Sequence, residues 1–298
     1  MAKLLLAHPL VLAMSPAEQE ASSPYFPLGL LYVAGYVRAA GHDVAIFDGT
    51  FADDYDAFDA ALVTERPDVV GISGVLPTRE AALILAAKAK RNGRVVIAGG
   101  PDPTAHPAAY LTGGAFDVVV HHEGEQTIGA LLDRHDSGEL TVDGLADEPG
   151  VAYRRDADVV VTPPRPPIDD LDALPLPARD LIDVERYLDA WDDANGYRSI
   201  TVSTSRGCPY GCSWCTDAVH GAGFRQRSPE SVAAEVRSLA DRYDITRLRL
   251  VDDVDGIERG WLERWAEAAE ALGAAIPFEA LNDLQRRDIP LLDVRDTL

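Results

Sequence analysis

The sequence predicts an α/β protein of two domains: an amino-terminal doubly wound parallel sheet, then a partial (β/α) barrel. The first observation is that short apolar runs alternate with helical patterns five times, at roughly 25-residue spacing, in the first half of the chain. The second is a proline-rich stretch over residues 163–177, which is typical of an extended linker. The third is a new set of strand and helix patterns after residue 196. A length of 298 residues also suits two cores better than one.

The first domain has the pattern of a buried parallel sheet with helices between its strands. Short apolar runs predict strands over residues 3–8, 44–47, 69–73, 94–100 and 117–121. Longer amphipathic stretches predict helices over residues 28–38, 55–65, 78–91 and from about 125. Gly41 and Pro67 follow the first two helices, where a helix is expected to stop. This domain is assigned to residues 1–140.

The ends of these strands are rich in glycine and polar residues. Sheets of this class bind ligands at the carboxyl ends of their strands, and glycine lets a backbone approach a bulky, flat ligand. Tight turns between strand and helix also need glycine, so the pattern alone does not identify a ligand. The candidate binding residues at these ends are His8, Ser73, Gly74, Gly99, Gly100, Glu123, Gly124 and Glu125.

A connecting segment is predicted over residues 141–195, and the second domain over residues 196–298. The connection begins with a hairpin over residues 150–162 that turns at Asp156 to Asp158, and continues into the proline-rich stretch. In the second domain, strands are expected over residues 199–204, 247–253 and 276–281, with a helix over 260–272. Ser228 and Pro229 have the pattern of a helix start.

All three cysteines of the chain lie within eight positions, at Cys208, Cys212 and Cys215, spaced C-x3-C-x2-C. An odd number of clustered thiols does not suit a disulfide framework. Three thiolates on one loop suit an iron–sulfur cluster that lacks a fourth protein ligand, so that one iron could bind a small molecule. A zinc site completed by His220 is the alternative, although zinc sites usually have two separated ligand pairs. Free thiols are the remaining possibility.

The cysteine spacing, with Trp214 before the last cysteine, resembles the signature of the radical S-adenosylmethionine superfamily. That resemblance implies that Cys208, Cys212 and Cys215 hold three irons of a 4Fe–4S cluster, whose fourth iron binds S-adenosylmethionine. It also implies reductive cleavage of S-adenosylmethionine to a 5′-deoxyadenosyl radical, with the electron coming from a reductant such as flavodoxin or ferredoxin. The residues that it assigns to S-adenosylmethionine binding are Tyr210, Trp214, Asp252, Asp253 and Glu279.

Residues 3–135 resemble the cobalamin-binding domain of B12-dependent radical enzymes, through Pro27–Tyr32, Gly71–Ser73, Gly99–Pro101 and Glu123–Glu125. The resemblance implies that cobalamin binds at the eight strand-end residues and assists radical methylation or a related modification of a small molecule. There is no D-x-H-x-x-G motif to supply a histidine ligand to cobalt.

This part of the sequence departs from the family in two places. Asp102 stands where the family often has histidine, and His121 and His122 precede Glu123. Because side chains alternate along a strand, we expect at most one of the two histidines to face the ligand.

Composition narrows the range of partners and locations. A net charge of −22 argues against a nucleic-acid partner or an anionic membrane surface, because phosphate binding needs basic patches. No apolar run is long enough to span a membrane, and the amino terminus lacks a signal-peptide pattern. We therefore expect a cytoplasmic protein, where thiols stay reduced.

The second domain is short for a radical enzyme. About 100 residues follow its first strand, whereas six βα units would need on the order of 200. We expect the chain to be truncated, split or degenerate, and a partner chain could complete the barrel. A tetrapyrrole-type oxidative cyclase and a catalytically incomplete cobalamin or cluster-binding module stay open as alternatives. An RNA methylthiotransferase is disfavoured because it would need further cysteines and a basic surface.

Overall fold

The computed structural model describes residues 1–21, 24–210, 212–213, 215, 219–221, 223–254 and 257–280. These residues form two compact units. The first unit comprises Met1–Ala21, Pro27–Ile168 and Pro175–Ile182. The second unit comprises the described residues within Ser22–Phe26, Asp169–Leu174 and Asp183–Leu298. None of the helices in these described ranges is long and apolar enough to cross a membrane.

The first unit alternates strands and helices as its sequence predicts. Its elements are β1 (Lys3–His8), α1 (Pro16–Ala21), α2 (Leu28–Ala39), β2 (Asp43–Asp48), α3 (Asp56–Glu65), β3 (Val69–Ser73), α4 (Arg79–Arg91), β4 (Val95–Gly99), α5 (Pro101–Ala105), α6 (Pro107–Leu111), β5 (Val118–Val120), α7 (Glu125–Ser137), β6 (Val151–Arg155) and β7 (Asp158–Val161). Short 3-10 turns lie at Leu12–Met14, Leu76–Thr78, Gly144–Asp147 and Arg179–Leu181.

The strands form one seven-stranded sheet in the order β2-β1-β3-β4-β5-β6-β7. The first five strands are parallel, with pairs such as Leu5 with Ala45 and Leu5 with Val70. The hairpin that the sequence analysis assigned to the connecting segment continues this sheet, because β6 pairs antiparallel with β5. The predicted fold class, an α/β protein with a doubly wound sheet, is confirmed.

Two apolar cores lie on opposite faces of this sheet, because neighbouring residues of a strand point to opposite sides. Leu5 and Ala7 of β1 join a core with helices α3, α4 and α6, in which Phe58 and Leu85 are fully buried. Leu4 and Leu6 join the other core with helices α2 and α7. Continuous apolar strands such as Leu-Leu-Leu-Ala in β1 therefore mark a sheet that is covered by helices on both faces.

The second unit contains three parallel strands and the helices between them. Its elements are α8 (Val184–Asn195), β8 (Ser199–Val202), β9 (Ser205–Arg206), β10 (Arg225–Gln226), α9 (Pro229–Arg242), β11 (Arg247–Leu250), α10 (Trp261–Ala271) and β12 (Phe278–Glu279). The parallel sheet has the order β12-β11-β8. The Ser228 hydroxyl accepts a hydrogen bond from the Ser231 N–H at 3.1 Å, so the predicted helix start is confirmed.

Gly35 of α2 provides a sharp test of how tightly the first unit is packed. A Cβ at this position would lie 2.5 Å from the backbone oxygen of Leu176, whereas a Cβ at the exposed Gly29 of the same helix would meet nothing within 4 Å. Alanine gains about 1 kcal/mol over glycine inside a helix, but overpacking costs roughly 1–3 kcal/mol. We expect Gly35→Ala to lower the free energy of unfolding by up to about 2 kcal/mol, measured by urea unfolding followed by circular dichroism.

Gly29→Ala is the matched control for this substitution. Its free energy of unfolding should be unchanged or up to ~1 kcal/mol higher, because it adds helix propensity without a clash. Equal stability of the two variants would contradict the close approach of α2 to the segment at Leu176.

Candidate functional site

The carboxyl ends of β1 and β3 meet at the point where the strand order of the first sheet reverses. The chain runs from β1 to β2 on one side and then crosses to β3 on the other, which is where open α/β sheets form a ligand crevice. His8 and Ser73 end these two strands, and His8 Nδ1 lies 3.4 Å from Ser73 Oγ. Burial lowers the pKa of His8, and the nearby Asp48 carboxylate opposes that shift. The neutral imidazole is therefore the favoured form near neutral pH.

The loops after β3 and β4 touch through two glycines. The Gly74 N–H donates to the Gly99 carbonyl at 2.8 Å, and Gly100 has a φ of +107°, a left-handed value that favours glycine. A Cβ at Gly100 would lie 2.9 Å from the Gly74 oxygen, and one at Gly74 would lie 2.6 Å from the Tyr110 hydroxyl. A Cβ at Gly99, by contrast, would meet only the Val120 oxygen at 3.9 Å. Gly74 and Gly100 are needed for packing, while Gly99 borders open space.

Asp102 lies at the centre of a polar cluster that the sequence did not predict. Its side chain is 4% exposed and accepts two hydrogen bonds from the Arg79 guanidinium, at 2.7 and 2.6 Å. The Tyr110 hydroxyl donates to the same carboxylate at 2.6 Å. Arg79 holds the pKa of Asp102 below its usual range, with a smaller contribution from Tyr110 in the same direction. Burial and the Asp102 carboxylate raise the pKa of Tyr110.

Glu123, Gly124 and Glu125 follow β5 at the same edge of the sheet. Glu123 is buried, and its Oε2 accepts a hydrogen bond from the Ile168 N–H at 2.7 Å, so it anchors the chain that leaves the hairpin. Glu125 is buried at the first position of α7. A Cβ at Gly124 would contact Val33 at 3.5 Å, an ordinary van der Waals distance. His8, Ser73 and Gly74 therefore lie at the switch point between β1 and β3, Gly99 and Gly100 lie at the neighbouring end of β4, and the glutamates after β5 are packed into the protein.

The expectation that His121 and His122 would alternate across a strand is wrong. Strand β5 ends at Val120, and His122 has a left-handed φ of 63°. The two rings instead make an edge contact with centroids 5.2 Å apart. His121 is buried, and burial together with its neighbour His122 lowers the pKa of His121.

The three cysteines lie on a loop that a short ladder closes at its base. Strand β9 pairs antiparallel with β10, joining Arg206 to Arg225 and Ser205 to Gln226. Gly207, with a φ of +79°, packs so closely that a Cβ would overlap the Gly223 carbonyl oxygen. The ladder brings the two ends of the loop over residues 207–224 together at the carboxyl end of β8.

None of the three cysteines takes part in a disulfide. Cys208 is half-buried, Cys212 and Cys215 are exposed, and the Cys215 N–H donates to the Cys212 carbonyl at 3.1 Å. Among the described residues, no three His, Cys, Asp or Glu side chains converge on a point that would hold a single metal ion. Three thiols on one loop, none of them in a disulfide, are the donor set that an iron–sulfur cluster with an open iron requires. The residues present therefore fit that group.

Asp252 and Asp253 follow β11 beside the base of this loop, in different settings. Asp252 is buried, and its carboxylate accepts hydrogen bonds from the Thr204 N–H at 2.8 Å, the Ser205 N–H at 2.9 Å and two hydroxyl groups. Asp253 is exposed, and one of its oxygens accepts from the Gly207 N–H at 3.2 Å.

The other three residues predicted to contact S-adenosylmethionine are Tyr210, Trp214 and Glu279, and the surroundings of Tyr210 and Glu279 differ. Tyr210 is 41% exposed beside the first cysteine, and Trp214 lies outside the described residues. Glu279 accepts hydrogen bonds from the Tyr197 hydroxyl and from Arg247 Nη1, both at 3.0 Å. Its carboxylate is therefore already engaged in the second unit.

Asp102 should give the first unit an acid-sensitive stability. Because Arg79 lowers the pKa of Asp102 below its ordinary 3.8, the charged pair stabilises the fold above that pH and loses its effect as the pH falls through the lower folded value. We expect Asp102→Asn to cost roughly 1–3 kcal/mol at neutral pH and to show a shallower loss of stability below about pH 4. Urea unfolding between acidic and neutral pH measures both, with exposed Asp53→Asn as the control. If the free energy of unfolding fell equally steeply below about pH 4 in Asp102→Asn and in the wild type, the pairing of Asp102 with Arg79 would be contradicted.

Comparison with known proteins gives relatives along most of the chain. Residues 18–132 match the family described as B12 binding domain. The uncharacterized methyltransferase PH0819 of Pyrococcus horikoshii is 35% identical over 233 residues, which cover 76% of this chain and 48% of that protein. The anaerobic magnesium-protoporphyrin IX monomethyl ester cyclase of Rubrivivax gelatinosus is 29% identical over 239 residues, covering 78% of this chain and 42% of that protein. This chain thus spans less than half the length of either relative.

A solved structure shares the fold. The cobalamin-dependent S-adenosylmethionine radical enzyme OxsB, with aqua-cobalamin and S-adenosylmethionine bound, superposes with a TM-score of 0.77 at 18% identity. The match covers 93% of this chain and 38% of OxsB. The resemblance seen in the sequence is confirmed: the chain carries a B12 binding domain, and over most of its length it is similar to cobalamin-dependent radical S-adenosylmethionine proteins.

Proposed function

We propose that this chain is an enzyme, or the larger part of an enzyme's cofactor-binding region, that cleaves S-adenosylmethionine reductively and uses cobalamin. The observation that carries the proposal is the cysteine loop: every cysteine of the chain lies on it, none of them in a disulfide, at the carboxyl end of β8. Strand ends of this kind are where (β/α) architectures keep their chemistry. The B12 binding domain in the same chain supplies the second cofactor of the proposal.

In this proposal Cys208, Cys212 and Cys215 hold a 4Fe–4S cluster. When bound, the cluster would supply the electron that converts S-adenosylmethionine to methionine and a 5′-deoxyadenosyl radical. Cobalamin, when bound, would supply a methyl group or redox assistance. The chain's own residues bind and orient the reactants. The exposed Asp253 carboxylate and the exposed Tyr210 ring lie beside the cysteine loop and would contact S-adenosylmethionine.

Cobalamin would bind at the carboxyl edge of the first sheet. Support comes from the switch point between β1 and β3, where His8 and Ser73 meet, and from the open space at Gly99. A macrocycle needs a backbone without side chains next to it, and Gly99 provides that without being required by the protein's own packing. Glu123 contributes by fixing the chain at Ile168. Glu125 is buried at the start of α7.

The reaction outcome we favour is methylation, or a related modification, of a small molecule. A relative named as a methyltransferase supports methylation, and a relative named as an anaerobic magnesium-protoporphyrin IX monomethyl ester cyclase keeps a tetrapyrrole-type cyclisation as the second candidate. The strong acidic charge supports a small-molecule substrate over nucleic acid or an anionic membrane. A flavodoxin or ferredoxin would deliver the electron in the cytoplasm. The third candidate function is an incomplete cofactor-binding module, which would need a partner chain to complete the barrel.

The cysteines provide the direct test of the cluster. Anaerobic reconstitution of the full chain with iron and sulfide should give a brown protein with the visible absorption of thiolate-bound iron. Each of the variants Cys208→Ala, Cys212→Ala and Cys215→Ala should lose most of that absorption and of the bound iron, because the chain has no fourth cysteine that could replace the lost ligand. Iron and sulfide analysis measures the loss.

The same preparations separate an enzyme from a binding module. With dithionite and S-adenosylmethionine, the wild type should form 5′-deoxyadenosine and the cysteine variants should not. A wild type that binds zinc in place of iron and sulfide would overturn the proposal. A wild type that binds the cluster without forming 5′-deoxyadenosine would favour the incomplete module.

Gly99 tests the cobalamin site without disturbing the fold. Gly99→Val adds a side chain into space that the protein leaves open, so the variant should fold normally. We expect it to bind hydroxocobalamin at least about tenfold more weakly than the wild type, since a buried clash of this size costs 1–3 kcal/mol. Titration followed by the visible spectrum of cobalamin measures the affinity.

Gly113→Val is the control for this test, because a Cβ at Gly113 also meets nothing within 4 Å and the residue lies before β5, at the opposite edge of the sheet. Cobalamin binding by Gly99→Val at the wild-type affinity would contradict the site.

A further inference from the structure

One buried carboxylate holds the base of the cysteine loop in the second unit. Asp252 Oδ1 accepts hydrogen bonds from the Thr204 N–H at 2.8 Å, the Ser205 N–H at 2.9 Å and the Ser203 hydroxyl at 3.1 Å. Its Oδ2 accepts from the Thr204 hydroxyl. Asp252 is 5% exposed, and Thr204 and Ser205 are buried as well.

The backbone at this point needs such an acceptor. Strand β8 ends at Val202, and the two-residue ladder of β9 begins at Ser205, so the chain turns between two sheets. A buried N–H group that finds no acceptor costs about 1–3 kcal/mol, and here two successive N–H groups point to one oxygen. Asp252 can reach them because β11 lies beside β8 in the sheet, and the residues after both strands emerge at the same edge.

Neighbouring contacts fix the same short segment from the other side. The Arg227 N–H donates to the Thr204 carbonyl at 2.8 Å, and the Arg227 guanidinium donates to the Ser203 carbonyl at 3.0 Å. Arg227 is itself paired with the buried Glu235, and its carbonyl accepts from the Trp261 indole N–H at 2.8 Å. Residues 203–205 are therefore held from both sides three residues before Cys208.

Asp253 makes a different kind of contact. It is exposed, and its Oδ2 accepts a single hydrogen bond from the Gly207 N–H at 3.2 Å, next to Cys208. Of these two adjacent carboxylates, the buried one therefore binds the turn at residues 203–205, and the exposed one binds the first residue of the cysteine loop. A buried carboxylate surrounded by four donors has no reason to move toward a ligand, because it would leave those donors unsatisfied.

We propose that Asp252 is a positioning residue for the cysteine loop and not an S-adenosylmethionine contact, and that the contact belongs to Asp253. Asp252 fixes the turn that delivers Cys208, and the protein prepares this turn before any cluster binds. The proposal rests on the proposed function for the identity of the cluster, but the prepared turn is a property of the chain alone.

Hydrogen exchange of the full chain without a cluster, with its thiols reduced, tests the prepared turn. In Asp252→Ala we expect the amides of Thr204 and Ser205 to exchange about tenfold faster than in the wild type, because a net hydrogen bond changes a local opening equilibrium by roughly that factor. Asp252→Asn keeps an oxygen for both N–H groups, so its exchange should stay close to that of the wild type. Glu258→Gln, at an exposed residue that pairs with Arg264, is the control.

Two exchange results would overturn the role of Asp252. One is Asp252→Ala with wild-type exchange in this segment, since the carboxylate would then hold nothing. The other is Asp252→Asn with exchange as fast as Asp252→Ala, since the acceptor geometry would then be irrelevant. If Asp252→Ala unfolds the whole second unit, the exchange rates of Asp252→Asn alone decide whether Asp252 holds this segment.

The reconstituted protein separates positioning from S-adenosylmethionine binding. Asp252→Asn should keep the cluster's electron paramagnetic resonance spectrum and its change on addition of S-adenosylmethionine, whereas Asp253→Ala should keep the cluster but lose most of that change. Asp252→Ala should bind less iron and show an altered spectrum, and Asp252→Asn should restore both. An Asp252→Asn protein with a normal cluster and no response to S-adenosylmethionine would make Asp252 a direct contact and overturn the proposal. If the wild type binds no cluster, the proposed function fails while the exchange measurements still decide the role of Asp252.

Discussion

The N–H groups that follow β8 impose the constraint on which the second unit depends. They lie where the chain leaves one sheet and enters a two-residue ladder, so neither sheet can satisfy them. The Asp252 carboxylate accepts from two of them and from two hydroxyl groups, and this fixes the direction in which the cysteine loop leaves the strand. The loop can then carry the exposed Cys212 and Cys215 while hydrogen bonds hold its base.

A buried carboxylate also lies at the carboxyl ends of the strands in the first unit, where it has different hydrogen-bond partners. There the loops after β3 and β4 approach closely because Gly74 and Gly100 have no side chains, and Asp102 is buried beside them. Its charge is balanced by the Arg79 guanidinium and the Tyr110 hydroxyl, whereas Asp252 is balanced by N–H and O–H donors. A buried carboxylate is costly unless it is satisfied, so each one is a fixed point of its loop rather than a reactive group.

The acidic residues near the candidate sites therefore fall into two groups, buried or engaged carboxylates and an exposed one, and their position in the sequence does not separate these groups. Asp252 and Glu279 are engaged by neighbouring donors, and Glu123 holds the backbone at Ile168. Asp253 keeps an exposed carboxylate beside the cysteines. The exposed group is the better candidate for a ligand contact, because binding there does not leave a buried donor without its acceptor.

The sequence by itself determined the α/β class, the strands of the first unit, the helix start at Ser228 and the cysteine motif. These follow from apolar runs, capping residues and residue spacing, all of which are local in the chain. Only the tertiary structure decided that the hairpin after α7 extends the sheet, that Asp102 pairs with Arg79, and that His121 and His122 lie beyond the end of β5. It also decided the different surroundings of Asp252 and Asp253, which are adjacent in sequence. Their hydrogen-bond partners lie 46–49 positions away, and a single sequence does not show which distant donors a carboxylate will meet.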